Sequence, residues 1–531
     1  MGTGTKAGSS GIVGSRKSNR IKSNAVSEKK KKKKKKTVFN LCNFKPLGVY
    51  EKSDYYEPTG FDYPFNVEKC LTGKDDLNQL VIRNGTLTRV LQINPTLKKS
   101  YRVYESWDID ITGDAHWSPR GSYLLLQFRN LVKIEGDFRH NRGHFLMRYG
   151  HAKANLLDFS PGEKYLITYN RPKRNVRSDL KIFDVSTGRI LMGGYHCPAD
   201  VSWPLIRWAG GEDDSYFAML IKKTVRIYET QTFVSLGDKF DDVVDMCWSP
   251  TESILALLKR SGKQTANKVV LLVKIPNMKV LRQTDVVCDD DCKLYWQSNG
   301  KYLAVQVTSS EFVFFRIREG IDDTPSKEVL KVDEKILAFA WEPSGDRFAM
   351  IHGDESKPLV SFYSMQAPKY PDKVSRIARF QTKQADSLFW SPRGKHIVLA
   401  GLKGSFNGKL EFFDVDNLKV LSKDEHFMAT DIAWDPTGRY VATAYTIPQE
   451  MDISYKCGFS VAMDPPNPKN GFCIWSLEGK KLYWKSTGKD LRLLQLKWRP
   501  NRESIDDDML KTLAYSVEEE WHTDEDSEDE R

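Results

Sequence analysis

Nine aromatic residues, each followed by a tight turn and a short apolar run, recur along this chain at a spacing that few folds accommodate. The series is Trp117, Phe159, Trp208, Trp248, Trp296, Trp341, Trp390, Trp434 and Trp498, with intervals of 40 to 49 residues and a final one of 64. The turns carry their own instructions. Ser118-Pro-Arg-Gly121, Ser391-Pro-Arg-Gly394 and Asp435-Pro-Thr-Gly438 place Ser or Asp first, Pro second and Gly fourth, the preference of a type I turn. Each copy therefore reads as a hairpin whose incoming strand ends on the aromatic. Its outgoing strand is a run such as Tyr123-Leu-Leu-Leu, Tyr165-Leu-Ile-Thr, Tyr302-Leu-Ala-Val or Tyr440-Val-Ala-Thr.

A second strand pair occupies each interval, as in Leu180-Lys-Ile-Phe-Asp-Val followed by Arg189-Ile-Leu-Met. Four strands per repeat of roughly 40 to 50 residues match a propeller blade. The reading is an all-β, WD-repeat-like β-propeller of nine four-stranded blades, with the nine aromatics as structural anchors between blades. A ring must close, and Leu80-Val-Ile-Arg with Leu87-Thr-Arg-Val-Leu-Gln-Ile are expected to supply the strands that the ninth repeat lacks after Trp498. The stretch from Thr446 to Asn470 reads as a long insertion rich in Pro and Asn.

The expected organisation is a disordered basic extension and linker over 1–60, the propeller over 61–505 and an acidic tail over 506–531. Residues 1–36 hold thirteen Lys or Arg against one Glu, and residues 505–531 hold twelve Asp or Glu against two basic residues. Both ends are too charged and too poor in apolar residues to fold alone. The run Lys29, Lys30, Lys31, Lys32, Lys33, Lys34, Lys35 and Lys36 is open to three readings: a phosphate-backbone contact, a nuclear import address, or a solvated tail. Arg139 and Arg142, and Arg171, Lys173, Arg174 and Arg177, fall where the strand pattern calls for loops, where cations reach phosphates without disturbing a sheet. They are candidate RNA or ribosome contacts, set against the plain reading of charged surface loops.

No run of about 20 apolar residues is present, so no membrane-spanning helix is expected. The opening segment is Gly, Ser and Lys rather than an apolar leader, and the expected location is cytoplasmic. The eight cysteines are scattered, as small buried hydrophobes are in a reducing compartment. Cys288-Asp-Asp-Asp-Cys292 is the one close pair. Further ligands at useful spacing are missing, which argues against a metal or redox site there. Phosphate-binding loops, nucleophile elbows and zinc-helix motifs do not occur, so neither enzyme activity, a cofactor, a metal nor a small-molecule substrate is expected.

Longer segments carry a family resemblance. Asp291-Cys-Lys-Leu-Tyr-Trp-Gln-Ser-Asn-Gly300, Ala338-Phe-Ala-Trp-Glu-Pro-Ser-Gly345, Phe389-Trp-Ser-Pro-Arg-Gly394 and Ala429-Thr-Asp-Ile-Ala-Trp-Asp-Pro-Thr-Gly-Arg-Tyr440 strongly resemble the b subunit of eukaryotic translation initiation factor three. Leu156-Leu-Asp-Phe-Ser-Pro161, Val360-Ser-Phe-Tyr363, Leu496-Lys-Trp-Arg-Pro500 and Gln79-Leu-Val-Ile-Arg-Asn-Gly-Thr86 match in the same order. The resemblance covers roughly residues 65 to 500. It implies a nine-bladed, non-catalytic scaffold bound to the small ribosomal subunit, through ribosomal RNA and proteins, and to fellow subunits, among them a, g and i. The family's RNA-recognition-motif domain ahead of the propeller and its helical tail beyond are not expected in this chain. The alternative is a diverged propeller outside that complex, such as a nuclear or ribosome-assembly scaffold.

Overall fold

The computed structural model describes residues 79–500 apart from 85–86, 95–98, 108–110, 129–130, 138–146, 171–178, 196–202, 212, 263–266, 290–291, 318–326, 367–372, 382–383, 403–405, 447–470 and 487–492. All described residues fall in the compact unit Phe44–Arg531. Among them the secondary structure is nine four-stranded antiparallel sheets, here blades 1 to 9. Their first strands are Ile111–Trp117, Leu156–Phe159, Ile206–Trp208, Val243–Trp248, Lys293–Trp296, Ile336–Trp341, Ser387–Trp390, Asp431–Trp434 and Leu493–Trp498. Every one of these strands ends on an aromatic of the repeat. First strands touch between blades 3 and 4, 4 and 5, 6 and 7, 7 and 8, and 8 and 9, as strands that line the axis of a ring do, and the later strands of each blade step outward.

The turn after each aromatic is closed as its sequence requires. Gly121 N–H donates to Ser118 C=O at 2.8 Å, Gly394 to Ser391 at 2.8 Å and Gly438 to Asp435 at 3.0 Å. In blade 1 the Ser118 hydroxyl accepts a second bond from Tyr123 N–H at 2.9 Å, and Asp435 Oδ1 accepts from Tyr440 N–H at 2.7 Å in blade 8. These side chains hold both ends of the hairpin, the mechanism by which Ser and Asp favour turns. Gly438 adopts φ +69°, and a Cβ there would run into the Ser391 hydroxyl of the preceding blade. Glycine is required twice at this position, by conformation and by space.

Blade faces explain why the strands read as apolar runs. In blade 4, Ile254, Ala256 and Leu258 pack toward Leu303, Val305 and Phe315 of blade 5, while Leu255 and Leu257 of the same strand pack toward Val225 and Ile227 of blade 3. Side chains alternate between two neighbours rather than between core and water. Between blades 5 and 6 the contact is aromatic: Phe312 lies 4.7 Å from Phe339, and Phe348 5.0 Å from Phe314. Burying one such ring on each side contributes about 2 to 3 kcal/mol.

Closure joins the two ends of the described chain. Strand Gln79–Asn84 pairs antiparallel with Leu493–Trp498 in the register Leu80↔Trp498, Ile82↔Leu496 and Arg83↔Gln495, and Leu87–Asn94 and Lys99–Trp107 complete blade 9. The Gln495 amide then spans to blade 1, donating to Ala115 C=O at 2.7 Å and accepting from Ala115 N–H at 2.8 Å. Arg499 N–H donates to Gln79 C=O at 2.9 Å, and its Nε to Gly121 C=O at 2.8 Å. Amino-terminal strands thus make up three of the four strands of blade 9.

Deleting residues 78–95 removes two strands of blade 9 and leaves Leu493–Trp498 without its partner. Chemical denaturation should then lose its single cooperative transition, and a deletion protein that still unfolds in one sharp step would contradict the closure. A milder test is Gly438→Ala, which should lower the unfolding free energy by about 1 to 3 kcal/mol through strain and displacement of the neighbouring turn.

Candidate functional site

Tryptophan at the end of a first strand does more than fill space. Trp248 Nε1–H donates to Arg207 C=O at 2.8 Å, Trp296 to Cys247 at 3.3 Å and Trp341 to Tyr295 at 3.0 Å. Trp390 donates to Ala340 at 3.2 Å, Trp434 to Phe389 at 2.9 Å and Trp498 to Ala433 at 3.1 Å. In all six, the acceptor is the carbonyl of the residue just before the preceding blade's anchor. The indole thus stitches each first strand to the one before it. Phe159 has no N–H, and the Trp208 N–H next to it has no acceptor among the described residues. Trp208 instead lies parallel to Tyr165 of blade 2 at 5.5 Å, as Trp341 does to Tyr302 at 5.9 Å. The tyrosine that opens an outgoing strand is therefore the stacking partner of the next anchor in these two blades.

Turn corners are tied by side chains that sequence reading did not single out. Glu163 of blade 2 accepts from Arg120 N–H at 2.7 Å in the turn of blade 1, and Asp214 of blade 3 accepts from Gly162 N–H at 2.7 Å and the Ser160 hydroxyl at 2.6 Å in the turn of blade 2. Glu342 accepts from Lys395 N–H at 3.0 Å, and Ser344 donates to Arg393 C=O at 2.7 Å. The legible signal was the Ser-Pro-Gly of blade 2, where the glycine comes one place early. Glu163, in the place that glycine holds elsewhere, takes φ +62°.

Beside the closure, the end face of the ring is cut by an open cleft of about 500 Å³ lined by Trp117, Trp434 and Trp498 with Pro392, Pro436 and Pro500, and by His116 and Lys497. Burial first, and then the Lys497 charge, lower the His116 imidazole to about 4, so it is neutral at physiological pH. The cleft offers flat apolar surface and one cation. That combination suits recognition of a peptide or a base rather than acid–base chemistry. A second, polar cleft of about 410 Å³ lies between blades 1 and 2, among Arg120, Glu163, Lys164 and Asp184. Among the described residues, no three His, Cys, Asp or Glu side chains converge to hold a metal.

Two histidines are built into the interior by one rule. His151 Nδ1 meets the Thr168 hydroxyl at 2.5 Å and His426 Nδ1 the Thr443 hydroxyl at 2.7 Å, each partner 17 residues on, and Trp475 Nε1–H donates to Thr443 at 2.8 Å. Burial, reinforced by Lys181 and opposed by Asp179, lowers His151 to about 4.

Lys29 to Lys36, Arg139, Arg142, Arg171, Lys173, Arg174 and Arg177 all lie outside the described residues, as do positions 447–470 of the insertion and the acidic tail.

Comparison with known proteins adds the following. Residues 286–462 match the family model described as eukaryotic translation initiation factor eIF2A. The chain is 44% identical over 488 residues to the b subunit of eukaryotic translation initiation factor 3 of Arabidopsis thaliana, covering 84% of this chain and 64% of that protein. It is 40% identical over 477 residues to the Nicotiana tabacum protein of the same name, covering 83% and 62%, and 33% identical over 413 residues to that of Xenopus laevis, covering 75% and 55%. It thus spans less than two thirds of the length of these relatives. A crystal structure of a eukaryotic initiation factor superposes with a TM-score of 0.62 at 20% identity, covering 80% of this chain and all of the other, which speaks to the fold.

A neutral buried His151 makes stability depend on pH with a definite sign. Below about 6.5 the unfolded chain takes up a proton that the native state refuses until about 4, so stability falls as pH drops through that window, by up to about 1.4 kcal/mol per pH unit from this residue. His151→Gln should flatten the slope of unfolding free energy between pH 6.5 and 4 by nearly one proton, measured by denaturant titrations. An unchanged slope contradicts the assignment.

Proposed function

We propose, on the premise that this chain is a homologue of the b subunit of eukaryotic translation initiation factor 3, that its ring is a non-catalytic scaffold of translation initiation. In this reading it holds the small ribosomal subunit and fellow subunits of the factor together in the cytoplasm. The observation that carries the reading is the 44% identity sustained over 488 residues, covering 84% of this chain. Physical chemistry supports it. Blade interiors are consumed by blade-to-blade packing, so binding is left to loops, end faces and charged extensions, the parts of a rigid array that tolerate variation.

Within that role, the lysine run and the basic segments around Arg139–Arg142 and Arg171–Arg177 supply phosphate contacts to ribosomal RNA. Such contacts act through counterion release and carry little sequence information. The a, g and i subunits of the factor are the protein partners that follow from the family. The acidic tail bears the opposite charge and serves partners of basic surface.

Sedimentation of tagged protein through a density gradient tests the role: co-migration with small ribosomal subunits and co-purification of other factor subunits are expected. Confinement to light fractions or to nuclei overturns it and favours a propeller outside the complex. Changing Lys173, Arg174 and Arg177 together to Glu should weaken ribosome association and reduce its salt slope by about two to three. Association that keeps its strength and slope removes these residues from the interface.

A further inference from the structure

Three polar or polarisable side chains meet under the surface where blade 4 hands the chain to blade 5. Lys268 is the second residue of the third strand of blade 4, Asn267–Lys274, and pairs across to Val286 of the fourth, Lys279–Val287. Cys288 follows that strand, and Cys292 precedes the first strand of blade 5. All three are enclosed: Lys268 is 1% exposed, Cys288 2% and Cys292 7%. The Lys268 ammonium donates to Cys292 Sγ at 3.1 Å, to Cys288 C=O at 3.4 Å and to Asp289 C=O. The cysteines are free thiols and interact with each other.

A buried ammonium is costly unless an anion or several dipoles face it. Two carbonyls supply dipoles, and the sulfur is placed to supply the charge. Hydrogen bonding from the Cys288 thiol, joined by Lys268, draws Cys292 below the ordinary thiol range against the opposing effect of burial, while the same sulfur–sulfur contact pushes Cys288 up. By contrast burial, opposed by Lys481 and aided by Asp424, pushes Cys473 up to about 12, as befits a cysteine that only fills space. One thiolate beside one protonated thiol is the arrangement of an attacking and a resolving cysteine.

We infer that Cys292 is a peroxide-reactive thiolate activated by Lys268, with Cys288 as its resolving thiol, so that this corner of the ring is a reversible oxidation site. In the first step Cys292 sulfur attacks a peroxide oxygen: the S–O bond forms, the O–O bond breaks, and the departing hydroxide is protonated to water. In the second, Cys288 sulfur attacks the sulfenic sulfur. The S–S bond forms, and hydroxide leaves with the Cys288 proton as a second water. The two sulfurs lose two electrons in total and the peroxide gains them. A dithiol reductant reverses the change. The site is close to solvent, since Asp289 and Lys293 on either side of the linker are exposed.

The test uses the full chain treated with hydrogen peroxide at neutral pH, blocked by alkylation, digested and mapped by mass spectrometry. Expected is a linkage between Cys288 and Cys292 with loss of two hydrogens, restored by dithiothreitol. Without peroxide, iodoacetamide should label Cys292 more than tenfold faster than Cys288 or Cys473. In Cys288→Ser, peroxide should leave a sulfenic acid on Cys292 that dimedone captures. Lys268→Met, checked for folding by its thermal transition, should slow Cys292 labelling at least tenfold. Two separate thiols after peroxide, equal labelling of the three cysteines, or an over-oxidised Cys292 beside an untouched Cys288 each overturn the inference. Should Lys268→Met fail to fold, the peroxide map and labelling rates of the unaltered chain decide the matter.

Discussion

The indole N–H that reaches back to the preceding blade is the interaction on which the rest of the ring leans. A propeller has no continuous sheet running around its axis, so nothing in the ordinary β-ladder links one blade to the next. Side-chain packing supplies most of that link, but apolar packing is indifferent to small slips along a strand. A hydrogen bond from Trp248, Trp296, Trp341, Trp390, Trp434 or Trp498 to a defined carbonyl is not. Each sets the height of one first strand against its neighbour, and the turn that follows inherits that height. Where Trp390 is so bonded, the turn corners of blades 6 and 7 are close enough to be joined by Glu342 and Ser344.

This stitching explains an asymmetry around the ring. Where Phe159 replaces tryptophan, the bond is absent on its own side, and Trp208 beyond it stacks on Tyr165 instead. Blades 2 and 3 are joined instead by a polar corner in which Asp214 gathers the Ser160 hydroxyl and the Gly162 and Lys164 N–H groups. The closure offers a comparable case. There the Gln495 amide and the Arg499 guanidinium bind backbone groups of blade 1, tying to it a blade assembled from both ends of the described chain.

Function and fold divide along the same line. Because both faces of each blade are committed to neighbours, surfaces for partners are confined to end faces, outer strands and loops. The aromatic and proline-lined cleft at Trp117, Trp434 and Trp498 exists because three anchors and three turn prolines converge beside the closing blade. The Lys268, Cys288 and Cys292 cluster exists because Lys268, on the third strand of blade 4, reaches both the end of the fourth strand and the residue that opens blade 5.

Much of the architecture was legible in the chain. The anchors, the Ser-Pro-x-Gly turns and the apolar runs are local chemistry: each copy encodes its own hairpin, so period, strand count and the closing role of Leu80–Ile82 follow from spacing. The candidate site was much less legible, since the basic segments named for RNA lie outside the described residues and the three cleft tryptophans were read only as structural anchors. Asp214, Gln495 and Lys268 gave no local signal, since a carboxylate, an amide or a lysine looks like solvated surface until a neighbouring blade arrives. Cys288 and Cys292 read as space-filling residues for the same reason. Local propensity and periodicity therefore determined the repeating unit and the number of units, while tertiary packing alone decided which polar groups are enclosed together, because their partners lie one blade, or the whole circumference, away in sequence.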